Sequence, residues 1–433
     1  MKIFFHNICI PFFILTFISS VIYGQTNVSG GIYTNTTWTL ANSPYVVTDT
    51  VIVYPQVTLT IQPGVVVRFD NYKQIEIRQG ALIATGSNTD SIIFTSNASS
   101  PSPGIYSGIY FNGGGHLTSK FSYCNFQFAE DGIRRCEQYL FYDTLTIKNC
   151  SFKNNMNGIN SVLGYVTIDS SVFRNNSNYG IYNLYNGYIS NCEINFNQFG
   201  LYKNYSVLMN HCKIKNNHFG LKNTYSSSIS NCIIDSNFIG VDSIAGGSGL
   251  HFCEVKYNQY GVLDSANQFE VKNSTIDSNY FVGIQMQRNL WPTIATVTNC
   301  LIRYNGTGIS DSGSVGQNII TRNIIENNSI GIELGSNNDQ INCNRICNNI
   351  FYDLKFITTG NADISHNYWC TSDSASTAVN IFDGNDTTNS GLVNFMPLDT
   401  VQCYLCNPFD IYIYPTAAIG FSRTCLGRDR GAG

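Results

Sequence analysis

The chain has 433 residues, only 12% of them charged, and a formal net charge of −4. That balance excludes a nucleic-acid partner held by a basic face, which needs clustered Lys and Arg to neutralise phosphates. Aromatic residues reach 13%, with 27 Tyr and 27 Phe, a composition that suits an extracellular β-rich protein better than a cytosolic enzyme.

In chain order, the first expected element is a leader. Lys2 precedes the apolar run IFFHNICIPFFILTFISSVIYG, which reads as a signal peptide over residues 1–24 with cleavage after Gly24. His6, Asn7 and Pro11 interrupt the run, and no other stretch reaches the roughly 18 apolar residues of a membrane span. The mature chain is therefore expected to be secreted or surface-displayed, with no transmembrane segment.

From about residue 121 to 370 one phrase returns: SNCEINFNQFGL (190–201), NHCKIKNNHFGL (210–221) and SNCIIDSNFIGV (230–241). Aligned on Cys, one row holds Cys150, Ser171, Cys192, Cys212, Cys232, Cys253, Ser274, Cys300 and Asn323. Three residues earlier and two later the row is aliphatic or aromatic, as with Ile189 and Ile194. Five later it is always Asn: Asn155, Asn176, Asn197, Asn217, Asn237, Asn258, Asn279, Asn305 and Asn328. A Gly-aliphatic pair follows, and successive Gly lie 20 to 25 residues apart.

That period is too short for paired helices and fits one coil of an all-β parallel solenoid with about 20–25 residues per coil. Leucine-rich repeats share the period, but here Asn is followed by x-x-Gly-aliphatic, and the rest of each unit is Ser, Asn, Tyr and Gly. Cys and the aliphatic residue two later share a strand face. The aliphatic residue three earlier breaks that parity, so a bend lies between, and the Asn that often precedes Cys tolerates the left-handed backbone of such a corner.

On these motifs the run 121–370 resembles the right-handed parallel β-helix repeat proteins secreted by bacteria. The stretch VIVYPQVTLTIQPGVVVRFDNYKQIEIRQGALIATGSNTDSIIFTS (51–96), within residues 25–120, resembles the opening coils of such proteins in the Bacteroidetes. NYWCTSDSASTAVNIFDGNDTTNSGLVNFMPL (367–398) resembles their closing segment, assigned here to 371–402, although Cys370 stands where the family has Gly. In the tail, 403–433, NPFDIYIYPTAAIGFS resembles the start of a truncated type IX secretion sorting domain, departing from it at Thr416 and Ala417.

Stacked coils turn each row into a ladder of like side chains. The Asn row is expected to bond amide to amide along the axis. The Cys row reads as small inward filler, since Ser replaces it twice; side chains about 4.8 Å apart also suit a disulfide poorly. Cys403 and Cys406 form a lone CxxC, read as a local disulfide because no second pair completes a zinc site. The row three after Cys, from Lys153 and Arg174 through Asn195, Lys215, Asp235, Lys256, Asp277 and Arg303 to Glu326, is expected to face outward. Its sign alternates from Lys215 onward, which would favour pairing between neighbours.

Candidate functional residues are aromatic. Tyr179, Phe199, Phe219 and Tyr260 stand just before the repeat Gly; Tyr185, Tyr205 and Tyr225 stand five after it, with Tyr182 and Tyr202 nearby. Rings repeated at the period of the fold can stack on sugars. The expected partner is accordingly a polysaccharide or cell-surface glycan, and the favoured function is non-enzymatic glycan binding or adhesion. The alternative is a polysaccharide lyase or glycoside hydrolase, which β-helix folds host, with acids drawn from Asp235, Asp277 or the loops. A purely structural envelope component is the third reading. Asp383 and Asp386 in FDGND read as turn caps. No cofactor, metal site or catalytic residue is assigned, because the six His are scattered and no nucleophile elbow or phosphate loop is present.

Overall fold

The computed structural model describes residues 24–113, 118–135, 144–160, 164–264, 268–286, 294–313 and 316–399. Residues 1–23, which hold nearly all of the expected signal peptide, and the Cys403–Cys406 tail lie outside the described residues. The described chain winds into a parallel β-solenoid of about 14 turns. A repeat turn contributes three short strands, for example Leu208–Asn210, Lys213–Lys215 and Phe219–Tyr225. Strands of the first kind stack into a 14-stranded parallel sheet, and the other two kinds belong to one 29-stranded sheet. Each strand pairs with its equivalents one turn away: Met209 with Ile189 and Ile229, Ile214 with Ile194 and Ile234. Thr36–Trp38 already opens the 14-stranded sheet. At the far end the helix Ser374–Val379 is capped by Asp373, whose carboxylate accepts the Ser376 N–H at 2.9 Å.

Sharp corners come from single residues in the left-handed region. Asn191, His211 and Asn231, each just before Cys, have φ of 54°, 52° and 53°, which supplies the bend required between Ile189 and Cys192. A second corner precedes the ladder Asn, with Phe196, Asn216 and Ser236 at φ of 55°, 55° and 56°. Between corners the apolar rows face inward and touch their own kind. The parallel rings of Phe126, Phe152 and Phe173 stand 4.6 and 4.8 Å apart, which is the separation of neighbouring strands.

The Asn file is a continuous hydrogen-bonded column. Asn217 Nδ2 donates to Asn237 Oδ1 at 3.1 Å and to the Ile194 carbonyl at 3.0 Å, and Asn217 N–H donates to the same Asn237 Oδ1 at 2.9 Å. The pattern repeats from Asn155 to Asn328 and ends on Asn349 and Asp353. Next to it runs the Gly row. A Cβ built on Gly220 would lie 2.4 Å from the Gly240 carbonyl oxygen, so close approach of neighbouring coils requires Gly there.

The Cys row is buried and unbridged. Its members act as corner acceptors: Cys232 Sγ receives the Cys212 N–H at 3.4 Å, as Ser171 Oγ receives that of Cys150 at 3.1 Å. Burial pushes the Cys300 thiol up to about 12, so it stays protonated. Towards the C-terminus Asn takes over the row, and Asn323, Asn344 and Asn367 form a second amide column. A disulfide joins Cys347 to Cys370 outside the row, with Cα atoms 5.9 Å apart.

The charged row is in register, Lys215 beside Asp235 and Asp235 beside Lys256, but its side chains do not all behave alike. Asn195 keeps the row's outward register between Arg174 and Lys215, yet it is covered, only 4% exposed and donating to Glu193. Row neighbours also do not pair throughout: Arg303 bonds Asp277 at 2.8 Å, whereas Lys215 turns to Glu193 at 2.9 Å and Asp235 accepts the Ser236 hydroxyl. Long side chains reach diagonally, and strand register does not dictate their rotamers.

Two stability predictions follow from these columns. Asn237→Ala removes the acceptor of two Asn217 donors and should cost about 3 kcal/mol in denaturant unfolding, whereas Gln259→Ala on the exposed corner should stay within about 0.5 kcal/mol. Cys232→Ser should melt within a few degrees of the wild type, because Ser171 and Ser274 already perform the same acceptor role.

Candidate functional site

The third strand of each coil positions the aromatic rings. In Phe199–Tyr205, Leu201 and Asn204 are buried, while Phe199, Tyr202 and Tyr205 face outward and are half-buried. Strict alternation cannot give that spacing. Lys203, at φ 54°, inserts a left-handed residue that resets the parity so that Tyr205 emerges on the same face as Tyr202.

Register then aligns the rings. Tyr179, Phe199 and Phe219 are successive partners, as are Tyr182 and Tyr202, and Tyr185, Tyr205 and Tyr225. Centroids are 5.0 Å apart for Phe199–Phe219, 4.4 Å for Tyr185–Tyr205 and 5.0 Å for Tyr205–Tyr225. Tyr202 joins the first stripe at 5.0 Å from Phe199. Partial burial pushes the Tyr179, Tyr185 and Tyr225 phenols up, so their tips are neutral hydroxyls.

Tyr260 does not continue the stripe directly. Beyond Phe219 the register meets Ile239, and beyond Tyr225 it meets Ala245. The track shifts to the adjoining corner instead. His218 packs edge-on to Phe219 and stacks on Phe238 at 4.8 Å; Phe238 meets Tyr260 at 6.0 Å, and Tyr260 meets Phe281 at 4.9 Å. Phe238 and Phe281 are 44% and 47% exposed, so this end is open to a partner. Sequence reasoning missed His218, Phe238 and Phe281; the signal was an aromatic or His one or two places after the ladder Asn.

Two cations flank the stripes. Lys222 Nζ sits 3.9 Å from the Phe219 ring centroid and 2.7 Å from Asp242, and Lys203 Nζ lies 5.6 Å from the Tyr202 ring. Towards the N-terminus the same outer rows turn polar: Asn157 and Asn160 are register partners of Tyr179 and Tyr182, and Asp131 and Arg134 of those Asn. Asp131 accepts the Asn157 and Asn160 amides at 2.8 and 2.9 Å and has Arg134 Nε 3.6 Å away. Burial pushes its carboxyl above the ordinary range, opposed by those two amide bonds. Arg134 also covers the Tyr110 ring at 4.4 Å. Asp131 thus lies two coils, about 10 Å, from Tyr179 on one sheet face.

The other acids are not gathered into a site. Asp235 and Asp277 are two coils apart with Lys256 between them, and Asp277 is occupied by Arg303. Asp383 caps a turn by accepting the Asn385 and Val393 N–H groups, and Asp386 accepts that of Asp383. Among the described residues, no group of three or more His, Cys, Asp or Glu could hold a metal ion, and no helix is long and apolar enough to cross a membrane.

Comparison with known proteins agrees with this architecture. Residues 107–255 and 143–286 match the family model described as right handed beta helix region, and residues 30–126 match the pectate-lyase like beta helix domain. The chain therefore carries right-handed β-helix repeat domains on a pectate-lyase-like solenoid. Among solved structures it is similar to the A-module of the Azotobacter vinelandii mannuronan C-5 epimerase AlgE6, at 10% identity over 74% of this chain and 88% of that one, with a TM-score of 0.43. It is also similar to the periplasmic alginate epimerase AlgG, at 10% identity over 82% and 75% with a TM-score of 0.33. An alginate lyase from Paenibacillus sp. str. FPU-7 matches at 13% identity over 62% and 88%, with a TM-score of 0.23. No curated protein sequence matches the chain.

Proposed function

We propose that the protein is an extracytoplasmic polysaccharide-active β-helix protein whose ligand lies along the solenoid axis over the aromatic track from Tyr179 to Phe281. One observation carries this reading: half-exposed rings recur at the coil spacing on one outer face. Flat apolar faces with hydroxyl tips are what pyranose rings stack against. An exposed, contiguous run of this kind implies a partner.

Of the readings drawn from sequence, the pectate-lyase-like match over residues 30–126 supports a polysaccharide-modifying enzyme over an adhesive binder. The groups on this face with chemistry to offer are Asp131, whose carboxyl is held towards the protonated form, and Arg134, whose guanidinium can pair with a sugar carboxylate. Non-enzymatic glycan binding is the second reading, favoured by the 2% exposure of Asp131, which keeps that carboxyl beneath its amide partners.

The test is a panel of acidic and neutral polysaccharides, scored for retention by affinity electrophoresis and for turnover by new reducing or unsaturated ends. Tyr205→Ala combined with Phe219→Ala should weaken retention about tenfold or more, two stacked rings being worth about 2 kcal/mol. Turnover that Asp131→Asn abolishes while retention persists would assign modification to this face. Retention without turnover on any polysaccharide would leave the binding reading, and retention unchanged in the double variant would overturn the track.

A further inference from the structure

The two ends of the solenoid are finished differently. At the C-terminal end the helix Ser374–Val379 packs on Ile381–Phe382, Ala362–Asp363 pairs with Val393–Asn394, and the Cys347–Cys370 disulfide ties the last coils together. Asp373, Asp383 and Asp386 add charge there. At the N-terminal end the first strand, Thr26–Ile32, pairs with Tyr45–Val53 on one side, and no strand among the described residues lies on its other side. None of its 7 residues is buried. Thr36–Trp38, the first strand of the second sheet, likewise pairs only with Thr58–Ile61.

Natural edge strands are guarded by charged side chains, by Pro or by a covering segment. The strand Thr26–Ile32 carries no charge and no Pro, and from Gln25 to Thr48 the sequence holds no Asp, Glu, Lys, Arg or His. Behind the edge the first coil is incompletely filled. A cavity of about 310 Å³ lies between Val28 and Ile32 on one side and Trp38 and Val51 on the other. Val28 and Ile32 pack on the core yet are only partly covered. Tyr33 and Leu40, in the same coil, are 69% and 51% exposed.

This end therefore offers a free strand edge and apolar side chains, with no charge to select a partner of opposite sign. A neutral surface can meet its own copy without like-charge repulsion. What completes a strand edge is another strand, and the identical edge of a second copy supplies one of matching length. We propose that two copies of this chain join end to end through their first coils, their strands Thr26–Ile32 pairing antiparallel about a two-fold axis near Ser29. Register on Tyr45–Val53 shifts once, between Val28 and Gly30, so the irregular point of the strand falls at the axis and exposed Ser29 meets its own copy there. Such a contact is isologous and closed, so association stops at two. It takes Val28, Ile32 and both cavities out of water.

Small-angle X-ray scattering and sedimentation velocity on the purified protein test this. About 14 coils at about 4.8 Å each make one solenoid about 65 Å long, so the expected particle has twice the chain mass and a length of about 130 Å. Ser29→Lys sets two cations beside the axis at an exposed position. It should weaken dimerisation at least tenfold and leave the melting temperature within about two degrees. Mixing Ser29→Lys protein with Ser29→Asp protein should restore the dimer, which distinguishes a broken contact from a damaged fold. Leu208→Lys, on the flank of the 14-stranded sheet and 56% exposed, should leave the dimer intact. A monomer up to about 100 μM would overturn the proposal, including one whose residues 1–24 cover the edge. So would a dimer no longer than one solenoid, or one that Leu208→Lys breaks and Ser29→Lys does not.

Discussion

The column of amides from Asn155 to Asn349 is the constraint on which the other rows rest. Each Asn ties three coils together. Its Oδ1 takes both the amide and the backbone N–H of the preceding Asn, and its Nδ2 reaches back to the carbonyl of that earlier coil's neighbouring strand. A slip by one residue would break these bonds and would also turn the apolar rows outward. Register is therefore specified twice, once by polar bonds and once by burial, and the two specifications agree.

A solenoid so registered repeats whatever is placed on its surface. The Phe126, Phe152 and Phe173 column inside and the Tyr185, Tyr205 and Tyr225 column outside have nearly the same spacing because both inherit it from the sheet. The inner column removes apolar area from water, at about 1.5–3 kcal/mol per side chain. The outer one remains half in solvent, and its regularity is surplus to stability. Ile239 and Ala245 succeed Phe219 and Tyr225 in the same register, so the rings are choices the fold permits and does not demand.

Much of this was legible in the chain. The Asn, Cys and Gly files and the left-handed corners follow from spacing alone, because in a parallel solenoid sequence period and spatial neighbour are the same thing. What spacing could not give was contact between files. The turn of the aromatic track through His218 and Phe238 depends on corner rotamers, as does the reach of Lys215 to Glu193. Burial of Asn195 in a file otherwise holding Lys, Arg, Asp and Glu depends on its bond to Glu193.

The corner rows show how much chemical variety such a column tolerates. At the Cys corner the acceptor of a backbone N–H is Sγ in Cys232, Oγ in Ser171 and Oδ1 in Asn323. Any small group with a lone pair satisfies the geometric need, and burial then decides its ionisation. At Cys300 burial keeps the thiol protonated, and an amide at the same corner has no proton to lose.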